Sequence, residues 1–211
     1  MSSPALVTFD IFGTVLDWRS GLTAAVRDAG GELSEHAFED VIAYQARMEQ
    51  AGPYRSYAEI LAESLVRVAK VDPGAARDIA AHAGRWPLFP DAADGIRTLM
   101  RLAPCVAMTN SDQAHGADVQ QQLGFRLNGW ICAEDVRCYK PAPEFWKAVS
   151  SRRGVAFGPD WWHVSAYADY DMETASKFGL TTVFVERPHH VWGPSTLVSP
   201  DLRAVAALVR T

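Results

Sequence analysis

The residue best placed for chemistry is Asp10. It closes the apolar run Leu6-Val7-Thr8-Phe9, whose residues favour strands, and the turn pair Gly13-Thr14 lies just beyond it. An open α/β sheet binds its ligands beyond the carboxyl ends of its strands, so this is how such a fold presents a reactive side chain. The plain alternative is that Asp10 caps a helix or turn, but no convincing helix pattern follows it directly. Three later stretches read as matching contributions from other strand ends: Thr109-Asn110, Tyr139 to Trp146 around Lys140, and Val164 to Asp171. The Thr109 hydroxyl and the Asn110 amide can bind an anionic group without charge of their own. Taken singly these are ordinary features: Thr-Asn is common turn chemistry, a lysine before proline is usually solvated, and Asp171 fits a helix N-cap.

The elements that must position these residues alternate in a definite way. After the first strand, Gly21 to Ala83 reads as helices. The segments are Gly21 to Ala29, a run from an Ser34 cap to Gln50, Tyr57 to Val68, and a short helix opened by Asp72-Pro73 and reaching about His82. From Trp86 strands return between helices. A helix from an Asp91 cap to Leu102 precedes a strand at Cys105 to Thr109. Helix Gln113 to Leu123, strand Trp130 to Ala133, helix Pro141 to Val149 and strand Trp161 to Ser165 follow. Helix Asp171 to Phe178, strand Thr181 to Val185 and helix Asp201 to Arg210 complete the series. That alternation predicts an α/β fold with a doubly wound parallel sheet and right-handed crossovers.

Residues 10–18, Asp-Ile-Phe-Gly-Thr-Val-Leu-Asp-Trp, resemble the first motif of the haloacid dehalogenase superfamily. The resemblance implies a Rossmann-type core over residues 1–17 and 86–211, with an inserted helical cap domain over 18–85. It also implies that Asp10 is the nucleophile. Phosphatases of the superfamily carry a second aspartate two residues later as general acid. Here that position is Phe12, and an aromatic there is similar to the 2-haloacid dehalogenase branch. Thr109-Asn110 resembles the second motif and, with Thr14, would bind the substrate carboxylate. Tyr139 to Trp146 resembles the third, in which Lys140 would pair with Asp10 and hold it ionised. Trp146 stands where the branch commonly has tyrosine. With Phe12, Trp18 and Tyr44, it would supply a dry wall to the site.

Counting back from Gly179, Asp171 takes the last acidic position of the family pattern, where it would orient Lys140 or activate water. The branch places serine and asparagine five and three residues before that aspartate. Here those positions are Ala166 and Ala168, and Ser165 substitutes only if the loop shifts by one residue. The phosphatases carry a magnesium-binding aspartate at the position of Ala166. Asp169 has no counterpart. For the cap arginine that holds the departing halide, Arg47 is preferred to Arg55, although a strict count falls near Gln45. Closing the cap over Asp10 would require hinges near Val15 to Trp18 and Ala83 to Phe89.

The expected reaction is therefore hydrolytic dehalogenation of short 2-haloalkanoic acids to 2-hydroxy acids through an aspartyl ester, with no metal or other cofactor. The partners would be the halogenated acid and halide ion, and the resemblance implies a homodimer. Two alternatives stand beside it: a magnesium-dependent phosphatase of the same fold, and a degenerate relative that only binds a small acid.

Composition narrows the rest. The chain has 211 residues, 48% hydrophobic and 21% charged, which suits one globular unit or a core with a modest insert. A net charge of -5 offers no footprint for nucleic acid or an anionic membrane. Cys105, Cys132 and Cys138 are odd in number and read as reduced thiols of a cytoplasmic protein. No signal region precedes the first strand, no apolar stretch is long enough to span a bilayer, and His163, His189 and His190 show no metal-site pattern.

Overall fold

The computed structural model describes residues 3–209. Six parallel strands form one sheet in the order β3-β2-β1-β4-β5-β6. They are β1 (Leu6–Phe9), β2 (Cys105–Thr109), β3 (Gly129–Cys132), β4 (Trp161–Ser165), β5 (Thr181–Val185) and β6 (Leu197–Ser199). The chain winds outward from β1 to β3, then returns and winds the other way from β4 to β6. The order thus reverses at β1, and the crevice at such a switch point is where this architecture binds ligands. Every residue of β1, β2 and β4 is buried, as expected for strands covered on both faces.

Four helices follow β1 directly, ahead of a 3-10 turn at Ala83–Arg85: α1 (Trp18–Asp28), α2 (Glu35–Gln50), α3 (Tyr57–Arg67) and α4 (Pro73–Ala81). Their starts follow capping rules. Ser34 accepts from Ala37 N, Ser56 and Glu59 form a capping box, and Asp72 accepts from Gly74 N ahead of an N-terminal proline turn. Phe38, Val41, Ile60, Leu61, Leu65 and Ile79 bury the apolar stripes of this unit. It is also tied to the sheet. Asp112, just after β2, accepts from Tyr57 N (3.0 Å) and Ala58 N (2.8 Å) at the first turn of α3. The Tyr139 hydroxyl donates to Arg55 O at 2.9 Å.

The core helices are α5 (Ala92–Leu99), α6 (Gln113–Leu123), α7 (Ala133–Val136), α8 (Pro143–Arg153), α9 (Glu173–Lys177) and α10 (Leu202–Leu208). Several expectations are corrected here. Asp91 holds the N-cap position of α5, but its side chain makes no capping bond; its carboxylate is held by Arg187 (both oxygens, 2.9 Å) and by Leu202 N (2.7 Å). Ala133 opens α7 and is not part of β3, and β6 was not foreseen. Its Leu197-Val198-Ser199 is too short for a period-2 signal. The last helix ends at Leu208, and Arg210 lies outside the described residues. Asp171 is not a helix N-cap, because it sits inside a π-helical turn spanning Ala168–Met172. Among the described residues, no helix is long and apolar enough to cross a membrane.

Candidate active site

Asp10 follows β1, its backbone N–H held by Val164 O at 3.0 Å. Its carboxylate is 2% exposed and is gripped at both oxygens: Lys140 Nζ donates to Oδ1 at 3.0 Å, and Thr14 Oγ1 donates to Oδ2 at 2.8 Å. Thr14 can do this because the chain turns back through Gly13, at φ +95°, against the ring of Tyr167. A Cβ at that glycine would collide with the tyrosine. Thr14 Oγ1 also accepts from Ala166 N at 3.0 Å, so both its hydrogen-bonding roles are used and it does not line the cavity. The expectation that Thr14 binds substrate gives way to a role in orienting Asp10.

Lys140 is 2% exposed and bridges two carboxylates. Beyond Asp10, its ammonium lies 2.9 and 3.0 Å from the two oxygens of Asp171. Asp171 is held in turn by Ser165 Oγ, which donates to Oδ2 at 2.8 Å, and its Oδ1 lies 3.4 Å from His163 Nε2. The π turn explains how Ser165 comes to serve: a π turn accommodates one residue more than an α turn. Serine six residues before the aspartate therefore reaches it, and the alanines at 166 and 168 stand beside that contact. Ser165 and Asp171 are fully buried and off the cavity surface, so both act through Lys140.

The charges of this cluster follow from burial and pairing. Burial pushes Asp10 up, the Lys140 ammonium opposes that rise, and Asp171 adds to it. Burial also works against the charge of Lys140, but Asp10 and Asp171 outweigh it and keep its ammonium protonated above the ordinary lysine range. For Asp171 burial is again the largest influence and raises it, yet Lys140 and then His163 together bring the carboxyl down to about 2. Lys140 is thus a permanent cation between the two carboxylates.

A cavity of about 760 Å³ opens over Asp10 and Lys140. The sheet supplies Phe12, Thr109 and Asn110 to its wall, and Trp18 stands at the start of the inserted helices. Asn110 is latched to Lys140 through both ends of its amide: Oδ1 accepts from Lys140 N (2.7 Å) and Nδ2 donates to Lys140 O (3.0 Å). Phe12 packs on Tyr57, Trp86 and His115, with ring centroids 5.5 to 6.0 Å away. Among the described residues, no group of three or more His, Cys, Asp or Glu side chains is arranged to hold a metal ion.

The structure separates the remaining expected residues from the cavity. Trp146 is fully buried behind the sheet, against Trp161, His163 and Phe178. Tyr44 spends its hydroxyl on Glu63 at 2.7 Å, and Arg55 pairs with the same carboxylate at 2.6 Å. Arg47 is exposed and lies beside the Tyr44 ring. The reason is helical periodicity. The cavity face of α2 carries Phe38, Ile42, Gln45, Ala46 and Glu49, and a residue two positions from Gln45 points the other way. Gln45 itself donates to Ser64 Oγ at 3.2 Å. The cation that the inserted helices do bring to the wall is Arg19, stacked on Phe38 and paired with Glu39 (3.0 Å) and Glu35 (3.5 Å). Burial pushes the Cys105 and Cys132 thiols up to about 12, which suits inert core thiols.

Two residues that hold the site were not anticipated. His163 contacts Asp171 on one side and Thr8 Oγ1 on the other at 2.8 Å. Arg187, two residues beyond β5, donates from Nε (2.9 Å) and Nη2 (2.8 Å) to the carbonyl of Thr14 while forking onto Asp91. It thereby fixes the turn that aims Thr14 at Asp10. A charged residue just past a strand end was the available signal for Arg187; nothing in the sequence distinguishes His163 from an ordinary core histidine.

Comparison with known proteins follows the same line. A family model described as haloacid dehalogenase-like hydrolase matches residues 4–158. The (S)-2-haloacid dehalogenase 4A of Burkholderia cepacia is 24% identical over 190 residues, covering 85% of this chain and 81% of that protein. Among solved structures, the L-2-haloacid dehalogenase from Xanthobacter autotrophicus superposes with a TM-score of 0.84 at 20% identity, covering 98% of each chain. The HAD-hydrolase YfnB from Bacillus subtilis, bound to magnesium, superposes with a TM-score of 0.82 at 15% identity over the whole of both chains. Shape is thus shared with a magnesium-bound hydrolase as well as with dehalogenases, and fold alone does not choose the chemistry.

Proposed function

The chain belongs to the haloacid dehalogenase-like hydrolases, and from that premise we propose that it hydrolyses the carbon–halogen bond of short 2-haloalkanoic acids. A carboxylate oxygen of Asp10 attacks the halogen-bearing carbon from the side opposite the halogen. The C–O bond forms as the carbon–halogen bond breaks, halide leaves with the electron pair, and the carbon inverts. Water then attacks the carboxyl carbon of the resulting ester. That acyl bond breaks, a 2-hydroxy acid and a proton are released, and Asp10 is regenerated. Each oxygen of Asp10 has its own donor, Lys140 or Thr14. Whichever oxygen becomes the ester, the other keeps a donor to stabilise the oxyanion of the second step.

The observation that carries this reading is the Asp10–Lys140–Asp171 bridge beneath a cavity whose wall has Phe12 where a phosphatase would need its acid. A phosphatase reading would lack both that acid and a carboxylate at Ala166. Thr109 and Asn110 are the substrate-carboxylate subsite. The four inserted helices act as a cap over it, residues 18–85 serving as the cap domain and 1–17 with 86–211 as the core. The test is halide release from each enantiomer of 2-chloropropionate in the presence of chelator. Release from one enantiomer, with inversion, is expected. Absence of release together with magnesium-dependent hydrolysis of phosphate esters would overturn the assignment.

A further inference from the structure

The subsite at Asn110 is not free of carboxyl groups. Glu49, partly buried on the last turn of α2, lines the cavity with Asp10 and Lys140, and its Oε2 accepts from Asn110 Nδ2 at 3.3 Å. With the rest of the Asn110 amide latched to Lys140, this contact occupies the donor that would meet a substrate carboxylate. Two carboxylates cannot share one amide N–H cheaply without a proton between them.

The surroundings supply that proton. The nearest cation, Lys140, already bridges Asp10 and Asp171. From the other elements around the cavity come Tyr57 of α3, Tyr170 and Asp169 of the π turn, and His189 and His190 of the stretch after β5. Tyr139 also lies close enough to feel the Glu49 charge. Glu49 further sits at the carbonyl end of α2, where the helix dipole disfavours an anion. Burial, partly offset by Asn110 and Lys140, pushes its carboxyl up to about 8. A carboxylic acid kept neutral near pH 7 is a hydrogen-bond donor.

We propose that Glu49 is a specificity-determining residue whose protonated carboxyl donates its O–H to the substrate carboxylate at the Asn110 subsite. The cap thus brings a neutral acid to the bound anion, and ligand binding holds one proton on Glu49. This rests on the carboxylate-substrate reading above, but it is tested by binding and not by turnover.

The experiment is calorimetric titration of the wild type and of Glu49→Gln with L-lactate and D-lactate, from pH 6 to 9, in buffers of differing ionisation enthalpy. The expected result is wild-type affinity that falls about tenfold per pH unit above about 8, the slope for one proton, with proton uptake on binding. Glu49→Gln keeps a donor but does not titrate. Its affinity should be flat over that range, with no uptake attributable to residue 49. The histidines and Asp10 are present in both proteins, so the difference isolates Glu49. Identical pH profiles in the two proteins, tighter binding by Glu49→Ala at every pH, or no lactate binding by the wild type at pH 6 would each overturn the proposal. Lactate binding with proton uptake but no halide release would leave it standing and sink the dehalogenation reading. Halide release with superimposable pH profiles would do the reverse.

Discussion

Replacing Lys140 by methionine removes the charge that two carboxylates share and leaves the volume nearly unchanged. Two buried carboxylates then face each other without a cation. At 3.0 Å and an effective dielectric of about 20, each lost contact corresponds to about 5 kcal/mol of Coulomb attraction. Most of that is already offset by the cost of burying the charges, and removing one partner of a buried pair typically costs about 3–5 kcal/mol net. For a chain of this size that is a fall in Tm of roughly 10 °C. The loss should depend on pH, and its sign is fixed by the cluster. In the wild type Asp171 is depressed to about 2, so its contribution is present above the ordinary carboxylate pKa and is lost only as pH falls through about 2. In Lys140→Met the largest opposition to burial is gone from both carboxyls, leaving only Thr14 on Asp10 and His163 on Asp171, so both rise. Protonation then relieves the variant, whose deficit is small near pH 4 and grows toward pH 7. Urea unfolding of both proteins between pH 4 and 8 measures it. A destabilisation that is constant over that range, or under about 1 kcal/mol at pH 7, would refute the view of Lys140 as the charge that holds the site together.

Asp10→Asn should retain the fold and release no halide above background, measured by ion chromatography over many enzyme equivalents; full release would remove Asp10 as nucleophile. Arg187→Met should cost about 3 kcal/mol or more, because it leaves Asp91 unpaired and the Thr14 carbonyl without two donors. Under conditions where the variant is still folded, kcat should fall more than KM, since the loss is in the aim of Thr14 on Asp10. Equal effects on both would make Arg187 merely structural. Gly13→Ala should lose about 1–3 kcal/mol from backbone strain alone, with further loss from the collision with Tyr167, both visible by thermal melting.

The core of the site was legible because each part is a short stretch at a strand end, where sequence neighbours stay spatial neighbours. Asp10 with Thr14, Thr109-Asn110 and Lys140 needed only the expectation that the strands lie parallel with their carboxyl ends together. The shift of Ser165 by one residue was legible as a count, and the π turn is its physical form. The inserted helices were different. Their boundaries followed from caps and periodicity, but the face of α2 that meets the cavity depends on packing against α3 and the sheet. Arg47 was favoured for its charge, whereas the face through Phe38, Ile42 and Gln45 leads to Glu49. Trp146 failed for a related reason: spacing from Lys140 places it on α8, and α8 buries it against Trp161, off the cavity wall.

These differences divide the labour within the molecule. The sheet side supplies a buried charge cluster with few free polar groups: Thr14, Ser165, Asp171 and His163 are spent on holding Asp10 and Lys140. On the proposed reading such a site attacks and hydrolyses, but it discriminates little between one small acid and another. Discrimination must come from the wall that the helices provide, whose polar groups include Gln45, Glu49, Gln50, Tyr57 and an Arg19 already paired with two glutamates. A leaving halide meets no unpaired cation on that wall among the described residues, so its stabilisation falls to neutral donors and to the Lys140 field. Poor leaving groups should therefore suffer most. On this argument, turnover should fall from bromide to chloride more steeply than in an enzyme with a free arginine in its cap, and Gln45→Arg should narrow that gap.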